Sequence, residues 1–170
     1  MTLTRTLDLL FYGAGASAFV AFPFLVVNWA RFMMKRSRAA FPAKSIAFFA
    51  TPILVALATA SAATTAARQK ALSFLQQPSD HLHVYVNGRP EQNGDEIVSS
   101  LRRITTYSAH HTDPTTRIRV EIRDSESNSL VLVLGRDSGI PHEYWVFCPS
   151  GWITSNNEIG RVTTPLFDAY

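Results

Sequence analysis

The histidines are the side chains of this sequence best suited to metal chemistry, since the chain contains five of them and imidazole is a common metal ligand. The alternation from His81 to Val86 predicts a strand that directs His81 and His83 to the same face. A later polar loop contains His111, which supplies a third ligand if the fold brings it near. The candidate metal ligands are thus His81, His83 and His111. The alternative is two exposed strand histidines beside a polar loop.

A second group of reactive side chains lies between two predicted strands, where Arg136-Asp137-Ser138-Gly139 precedes Pro141-His142-Glu143. An acid, a hydroxyl and an imidazole are the elements of nucleophilic catalysis, but a triad is assembled by the fold and not by closeness in sequence. The chain has no G-x-S-x-G elbow, and a turn between strands explains these residues. Cys148 precedes Pro149 at a strand end and reads as a small buried hydrophobe. The sequence therefore predicts no catalytic residue and no cofactor.

Two strands carry side chains suited to binding a partner. Beyond Pro114, apolar and charged residues alternate as in a β-strand, so that Arg117, Arg119 and Arg123 share one face. This face is either a solvated sheet surface or a docking surface, and in the second case its ligand is an acidic partner or phosphate-bearing surface groups. In a later strand, alternation separates Tyr144 from Trp145 and Phe147, and aromatic side chains outside the core are enriched at interfaces. The candidate interaction residues are Arg117, Arg119, Arg123, Tyr144, Trp145 and Phe147.

The elements that position these side chains form a domain over residues 78–170. The sequence predicts one amphipathic helix and four or five mainly antiparallel strands, with the Asn87-Gly88 pair as a turn. The strands are expected at 81–86, 117–123, 130–134, 143–147 and 158–164, and the helix at 95–104. The predicted fold class is therefore α+β, with a two-layer domain in which one helix packs on the sheet.

Residues 1–77 have a different character and predict a helical hairpin in a membrane, with helices over about 9–33 and 45–67 and a linker helix up to residue 77. The runs 9–30 and 45–67 contain no charged residue, and each is long enough to cross about 30 Å of hydrocarbon. Trp29 lies near the end of the first run, as an interfacial anchor does. The alternative, two buried core helices, requires a larger domain than this chain provides.

The charges indicate the orientation of the hairpin. Residues 1–77 contain eight basic residues and one acid, a net charge of +7, whereas residues 78–170 contain eight basic residues and twelve acids, a net charge of −4. The loop 31–44 holds five basic residues and no acid, so the positive-inside rule places it in the cytoplasm. In a bacterium the hairpin then lies in the inner membrane with the C-terminal domain in the periplasm. The acidic domain argues against nucleic-acid binding.

A second interpretation starts translation at Met34. Basic residues 35–38, the apolar run 46–57 and the small residues that follow resemble a secretory signal peptide with its cleavage site. The product would then be a secreted soluble domain. The strength of the first apolar run favours the anchored form.

These observations predict a membrane-anchored protein that presents an extracytoplasmic interaction module to a protein partner. One alternative is a small membrane-associated metal-dependent enzyme that uses the histidines. Another is a structural subunit of a membrane complex, in which the hairpin forms oligomer contacts through its small residues.

Overall fold

The computed structural model describes residues 3–34, 42–78, 81–105, 112–126 and 128–170. The chain divides into two compact units, Met1–Ala63 and Thr64–Tyr170. In chain order the elements are α1 (Leu3–Met34), α2 (Ala43–Leu75), β1 (His83–Val86), β2 (Arg89–Pro90), α3 (Gly94–Leu101), β3 (Pro114–Arg123), β4 (Ser129–Asp137), β5 (Glu143–Phe147), α4 (Trp152–Asn156) and β6 (Gly160–Thr163).

The first unit contains α1 and most of α2. In the part of the chain that the structure describes, these two helices are long and apolar enough to cross a membrane, by length and composition. Within the unit, Asn28 Nδ2 donates a hydrogen bond to Ser45 Oγ at 3.0 Å, and the rings of Phe22 and Phe49 lie 5.8 Å apart. Large apolar side chains such as Phe19 and Leu54 are exposed on the helix surfaces. These features fit a membrane-anchored protein.

The helices are longer than the uncharged runs from which they were predicted. α1 begins at Leu3, and α2 continues without interruption to Leu75. The alanine-rich stretch in the middle of α2 and the residues that follow it contain no helix breaker before Pro78. A charged residue ends an apolar run without ending a helix, which explains the difference.

The second unit is built on an antiparallel sheet. Within the described residues, six strands pair in the order β2-β1-β3-β4-β5-β6, and every pairing is antiparallel. Asn87 and Gly88 form the turn between β1 and β2 with φ angles of 50° and 81°. β3 and β4 form the longest hairpin, in which Ile118 faces Leu134.

The hydrophobic core lies against one face of the sheet. Alternate residues of the strands point into it, among them Val84, Val120, Leu132 and Val146. The helical layer consists of α3 and the last turns of α2, and it contributes Ile97, Val98, Leu101, Ala67, Ala71 and Leu75. The three residues of α2 follow each other at intervals of four, so they share one side of the helix. The α+β fold class predicted from the sequence is confirmed.

The differences in detail have local causes. The sheet has one strand beyond the four or five predicted, because the two-residue β2 is too short to show alternation. β1 begins at His83 and not at His81, which lies in a short 3-10 turn. The five-residue α4 was not predicted, since one turn of helix leaves no periodic signal.

Candidate functional site

The sheet face that points away from the core carries the predicted arginines. Arg117, Arg119 and Arg123 are exposed on β3, where they alternate with buried residues. The neighbouring strands β1 and β4 add half-buried apolar side chains to the same face. We call this surface the arginine face, and it consists of Tyr85, Arg117, Arg119, Glu121, Arg123, Val131 and Val133.

Glu121 organises the charges of the arginine face. Its Oε1 accepts a hydrogen bond from Arg123 Nε at 2.8 Å, and its Oε2 lies 3.9 Å from Arg119 Nη2. The hydrogen bond to Glu121 raises the pKa of Arg123, whose guanidinium also stacks 4.8 Å above the ring of Tyr85. The side chains of Arg119 and Arg123 remain 57% and 52% exposed. Three arginines and one glutamate leave this face positive.

The three aromatic candidates of β5 are less exposed than the arginines. Tyr144 is fully buried on the core side of the sheet, so its ring contributes nothing to an exposed surface. Phe147 keeps 5% exposure, and its ring lies 5.6 Å below the guanidinium of Arg117. Trp145 is half-buried. Trp145 therefore offers more surface to a partner than Tyr144 or Phe147.

A buried ion network lies where β5 and β6 meet, and sequence reasoning missed it. Arg161 on β6 is 3% exposed and donates hydrogen bonds to Glu143 Oε1 at 2.7 Å and to Glu158 Oε1 at 2.9 Å. Its Nη1 also lies 3.6 Å from Asp137 Oδ2, and its guanidinium stacks 4.3 Å from the ring centre of Trp145. Arg161 is thus a cation shared by three carboxylates.

Asp137 is the most heavily hydrogen-bonded member of this network. It accepts hydrogen bonds from Trp145 Nε1, Thr112 Oγ1 and the backbone N–H groups of Gly139 and Ile140. Burial raises the pKa of Asp137, but these hydrogen bonds lower it by more, to about 2. The two hydrogen bonds from the backbone of Gly139 and Ile140 to the Asp137 side chain are typical of a turn. A turn between strands is also what the sequence predicts for these residues.

Ser138 and His142, the hydroxyl and imidazole considered above for nucleophilic catalysis, line a cavity of about 310 Å³ at the turn between β4 and β5. His142 Nδ1 is hydrogen-bonded to Asp168 Oδ2. The second carboxylate oxygen, Asp168 Oδ1, accepts a hydrogen bond from the hydroxyl of Tyr144 at 2.7 Å. The hydrogen bonds from Tyr144 and His142 lower the pKa of Asp168. Burial and the bond to Asp168 raise the pKa of Tyr144 to about 12.

This cluster fixes the C-terminal segment to the sheet. Arg136 Nη2 donates to the backbone oxygen of Asp168 at 2.7 Å and to that of Phe167 at 3.3 Å. Phe167 is fully buried against Tyr144. His142 therefore pairs with an acid 26 residues along the chain and not with Asp137 of the preceding turn.

The structure describes two of the three predicted metal ligands. His83 is the exposed first residue of β1, and His81 lies in the turn before it. His111 lies outside the described residues. Among the residues that the structure describes, no group of three His, Cys, Asp or Glu side chains could hold a metal ion. The metal site stays a prediction.

Cys148 is buried, and burial raises the pKa of its thiol. A protonated, inaccessible thiol is a poor nucleophile.

No protein-family model, curated protein or solved structure matches this chain. Its function is therefore inferred from its own residues.

Proposed function

We propose that this chain is a membrane-anchored binding protein that presents its sheet domain outside the cytoplasm to an acidic protein partner. The observation that carries the proposal is the arginine face. It is a positive surface on residues 78–170, whose net charge is −4. A positive patch on an acidic domain is a local arrangement that the overall composition does not require.

The chemistry of the arginine face suits an acidic protein surface. Guanidinium groups form paired, charge-assisted hydrogen bonds with carboxylates. The half-buried side chains of Tyr85, Val131 and Val133 lie beside the arginines and supply apolar area at the centre of the contact. The cation–π contact between Arg123 and Tyr85 orders one of the long side chains before binding, which lowers the entropy lost in the complex.

The location outside the cytoplasm rests on the basic loop. Residues 31–44 join the two apolar helices and contain five basic residues and no acid. Such loops stay in the cytoplasm. With both helices in a bacterial inner membrane, the sheet domain then lies in the periplasm, and the partner is a periplasmic or membrane protein.

Site-specific photocrosslinking in cells tests this proposal. A photoreactive amino acid at Val133, within the arginine face, is expected to crosslink to a protein partner. Arg119→Glu should lower the crosslinking yield about tenfold, because it replaces attraction by repulsion at the contact. The matched control is Arg103→Glu, which makes the same charge change at an exposed residue just after α3 and should leave the yield unchanged.

Two results would contradict the proposal. One is a crosslinking yield that Arg119→Glu leaves unchanged. The other is equal crosslinking from a photoreactive residue at Glu96, an exposed position on α3 in the helical layer.

A further inference from the structure

The strand that carries the arginines is longer than its neighbour β1. β3 runs from Pro114 to Arg123, but β1 pairs only with its last four residues, 120–123. Asn87, which follows β1, extends the contact by one position. Its N–H donates to the backbone oxygen of Arg119 at 2.8 Å, and its Oδ1 accepts the N–H of Arg119 at 2.9 Å. The chain then turns back into β2, so the first part of β3 extends past β1.

This first part of β3 leaves backbone groups of Arg117 unpaired. Successive residues of a strand direct their N–H and C=O groups to opposite sides. Arg119 directs its groups to Asn87, so Arg117, two residues earlier, directs its own groups away from β4 and to the same side. On that side, no residue that the structure describes pairs with Arg117.

We call the stretch 115–117 the open edge. Its three residues are exposed. A strand edge with free N–H and C=O groups is a template for pairing with another chain.

The charges beside the open edge indicate what pairs with it. Arg117 and Arg119 belong to the arginine face, and both are exposed. Residues directly opposite each other in antiparallel strands place their side chains on the same face, where opposite charges stabilise the pair. The chain's own residues 106–111, which precede β3 in sequence, contain no acid. The arginines are therefore complementary to an acidic segment of another protein.

We propose that the acidic partner binds as an added strand, in which an extended segment with acids at alternate positions pairs antiparallel with the open edge. This inference rests on the proposed function and specifies the form of the partner. One acid lies opposite Arg117, exchanges two backbone hydrogen bonds with it and directs its carboxylate to the guanidinium. Arg119 lies diagonal to that acid, within reach of a long side chain. Backbone bonds supply affinity in such complexes, and alternate side chains supply specificity.

The antiparallel direction follows from the sheet itself. Every pairing between the described strands is antiparallel. In this arrangement the acids of the added strand direct their N–H groups to β3, and the residues between them direct theirs away. A parallel strand would reverse the two sets, so the direction can be tested.

The test uses the purified full chain in micelles of an uncharged detergent. The probe is a fluorescein-labelled hexapeptide in which Glu and Thr alternate, and fluorescence anisotropy measures its binding. N-methylation of the Glu residues should weaken binding about tenfold or more, because it removes the N–H groups that face β3. N-methylation of the Thr residues is the matched control and should leave binding unchanged.

Two variants of the protein test the same contact from the other side. Arg117→Ala removes the guanidinium alone, whereas Arg117→Pro also removes the N–H that donates to the added strand. Proline is tolerated in a strand where its missing N–H would face solvent. We expect Arg117→Pro to bind the unmodified peptide about tenfold more weakly than Arg117→Ala does.

The inference is overturned if the native protein does not bind the unmodified peptide, or if N-methylation of Glu and of Thr has equal effects. Loss of binding on N-methylation of Thr alone also overturns it. Dimers of the chain in sedimentation that Arg117→Pro dissociates would assign the edge to a second copy and overturn it too. If Arg117→Pro does not fold, the N-methylated peptides decide, since they require only the native protein.

The failure of this inference is distinguishable from the failure of the proposed function. If Arg119→Glu weakens peptide binding but N-methylation of Glu does not, the acidic partner stands and the added strand is excluded. If Arg119→Glu leaves the crosslinking yield in cells unchanged, the proposed function fails, and the added strand fails with it.

Discussion

At the scale of single residues, Asp137 shows how the domain keeps an ionised carboxylate in its interior. A buried carboxylate is stable only when donors replace the water that it has lost. Asp137 obtains them from two side chains and two backbone N–H groups, and Arg161 lies nearby. The loop between β4 and β5 and the edge strand β6 are therefore tied to one carboxylate.

The lowered pKa of Asp137 predicts a loss of stability in acid. Its pKa falls from an ordinary value of 3.8 to about 2 in the folded protein. The stabilisation is therefore fully present above about pH 4, and it is lost as the pH falls towards 2. We expect the free energy of unfolding, measured by denaturant titration, to decrease over this interval.

Asp137→Asn isolates this effect. It should destabilise the domain at pH 7 by about 3 kcal/mol, because Arg161 loses a buried partner and two donors face an amide. It should also remove the part of the acid dependence that Asp137 supplies. An equally steep loss of stability between pH 4 and 2 in the variant would assign that loss to other carboxylates.

The hydroxyl of Tyr144 supplies a second residue-scale prediction. Tyr144→Phe removes the hydrogen bond to Asp168 and should lower the free energy of unfolding by about 1.5 kcal/mol. Tyr85→Phe is the matched control, since Tyr85 is half-buried on the arginine face and should lose only a few tenths of a kcal/mol. Chemical denaturation of the two variants measures both values. Equal losses would show that the attachment of the C-terminal segment to the sheet does not depend on the hydrogen bond between Tyr144 and Asp168.

The sequence predicted the exposed arginines because alternation along a strand is a local property. Arg117, Arg119 and Arg123 share a face wherever β3 lies in the sheet. The pairing of His142 with Asp168 could not be predicted in the same way, since it depends on where the chain returns after β6. Asp137, the acid of the turn at residues 136–139, belongs to the ion network instead.

At the scale of elements, β6 is held by a close backbone approach at its first residue. Gly160 has φ of 153°, and a Cβ atom there would lie 2.4 Å from the backbone oxygen of Thr105. This contact accompanies the bridge between Thr105 and Arg161. A side chain at position 160 therefore forces apart two backbone segments that frame Arg161.

Gly160→Ala should destabilise the domain by about 3 kcal/mol because the added methyl group overlaps backbone and not a flexible side chain. Gly88→Ala provides the comparison. Gly88 also has a positive φ, but nothing lies within 4 Å of the position that its methyl group would take, so the cost is strain alone, about 1 kcal/mol. Thermal or denaturant unfolding distinguishes the two. Equal costs would indicate that the close approach at Gly160 relaxes easily.

The predictability of the elements follows their length. The β3–β4 hairpin and α3 were predicted because each contains several periods of its pattern. β2 contains a single period and α4 less than one and a half. The contribution of α2 to the core was also missed, since Ala67 and Ala71 are small residues that serve equally well in a lipid-facing helix.

At the scale of the whole molecule, the chain combines an apolar helical unit with an acidic sheet domain. The two apolar helices could be predicted because their signal lies in length and composition alone. The structure accordingly has two helices that are long and apolar enough to cross a membrane. The ion network could not, because Asp137, Glu143, Glu158 and Arg161 meet only after β4, β5 and β6 have paired in register.

Reporter fusions test the orientation of the whole chain. Alkaline phosphatase fused after Tyr170 should be active in a bacterial host, and green fluorescent protein at the same position should be dark, since the positive-inside rule predicts export of the domain. The same reporters inserted between residues 38 and 39 of the basic loop should give the opposite pattern. Fluorescence from the fusion after Tyr170 would place the domain in the cytoplasm and redirect the search for its partner.

The strand order has a consequence for how the domain is made. Each of the strands β4, β5 and β6 pairs with the strand synthesised just before it, so the sheet can grow at one edge as the chain emerges. Each unfinished edge then needs only the next few residues of the same chain, which shortens the time available for mispairing with other molecules. The segment that follows β6 then packs on strands that have already emerged: Phe167 is buried in the core, and the backbone oxygen of Asp168 accepts a hydrogen bond from Arg136.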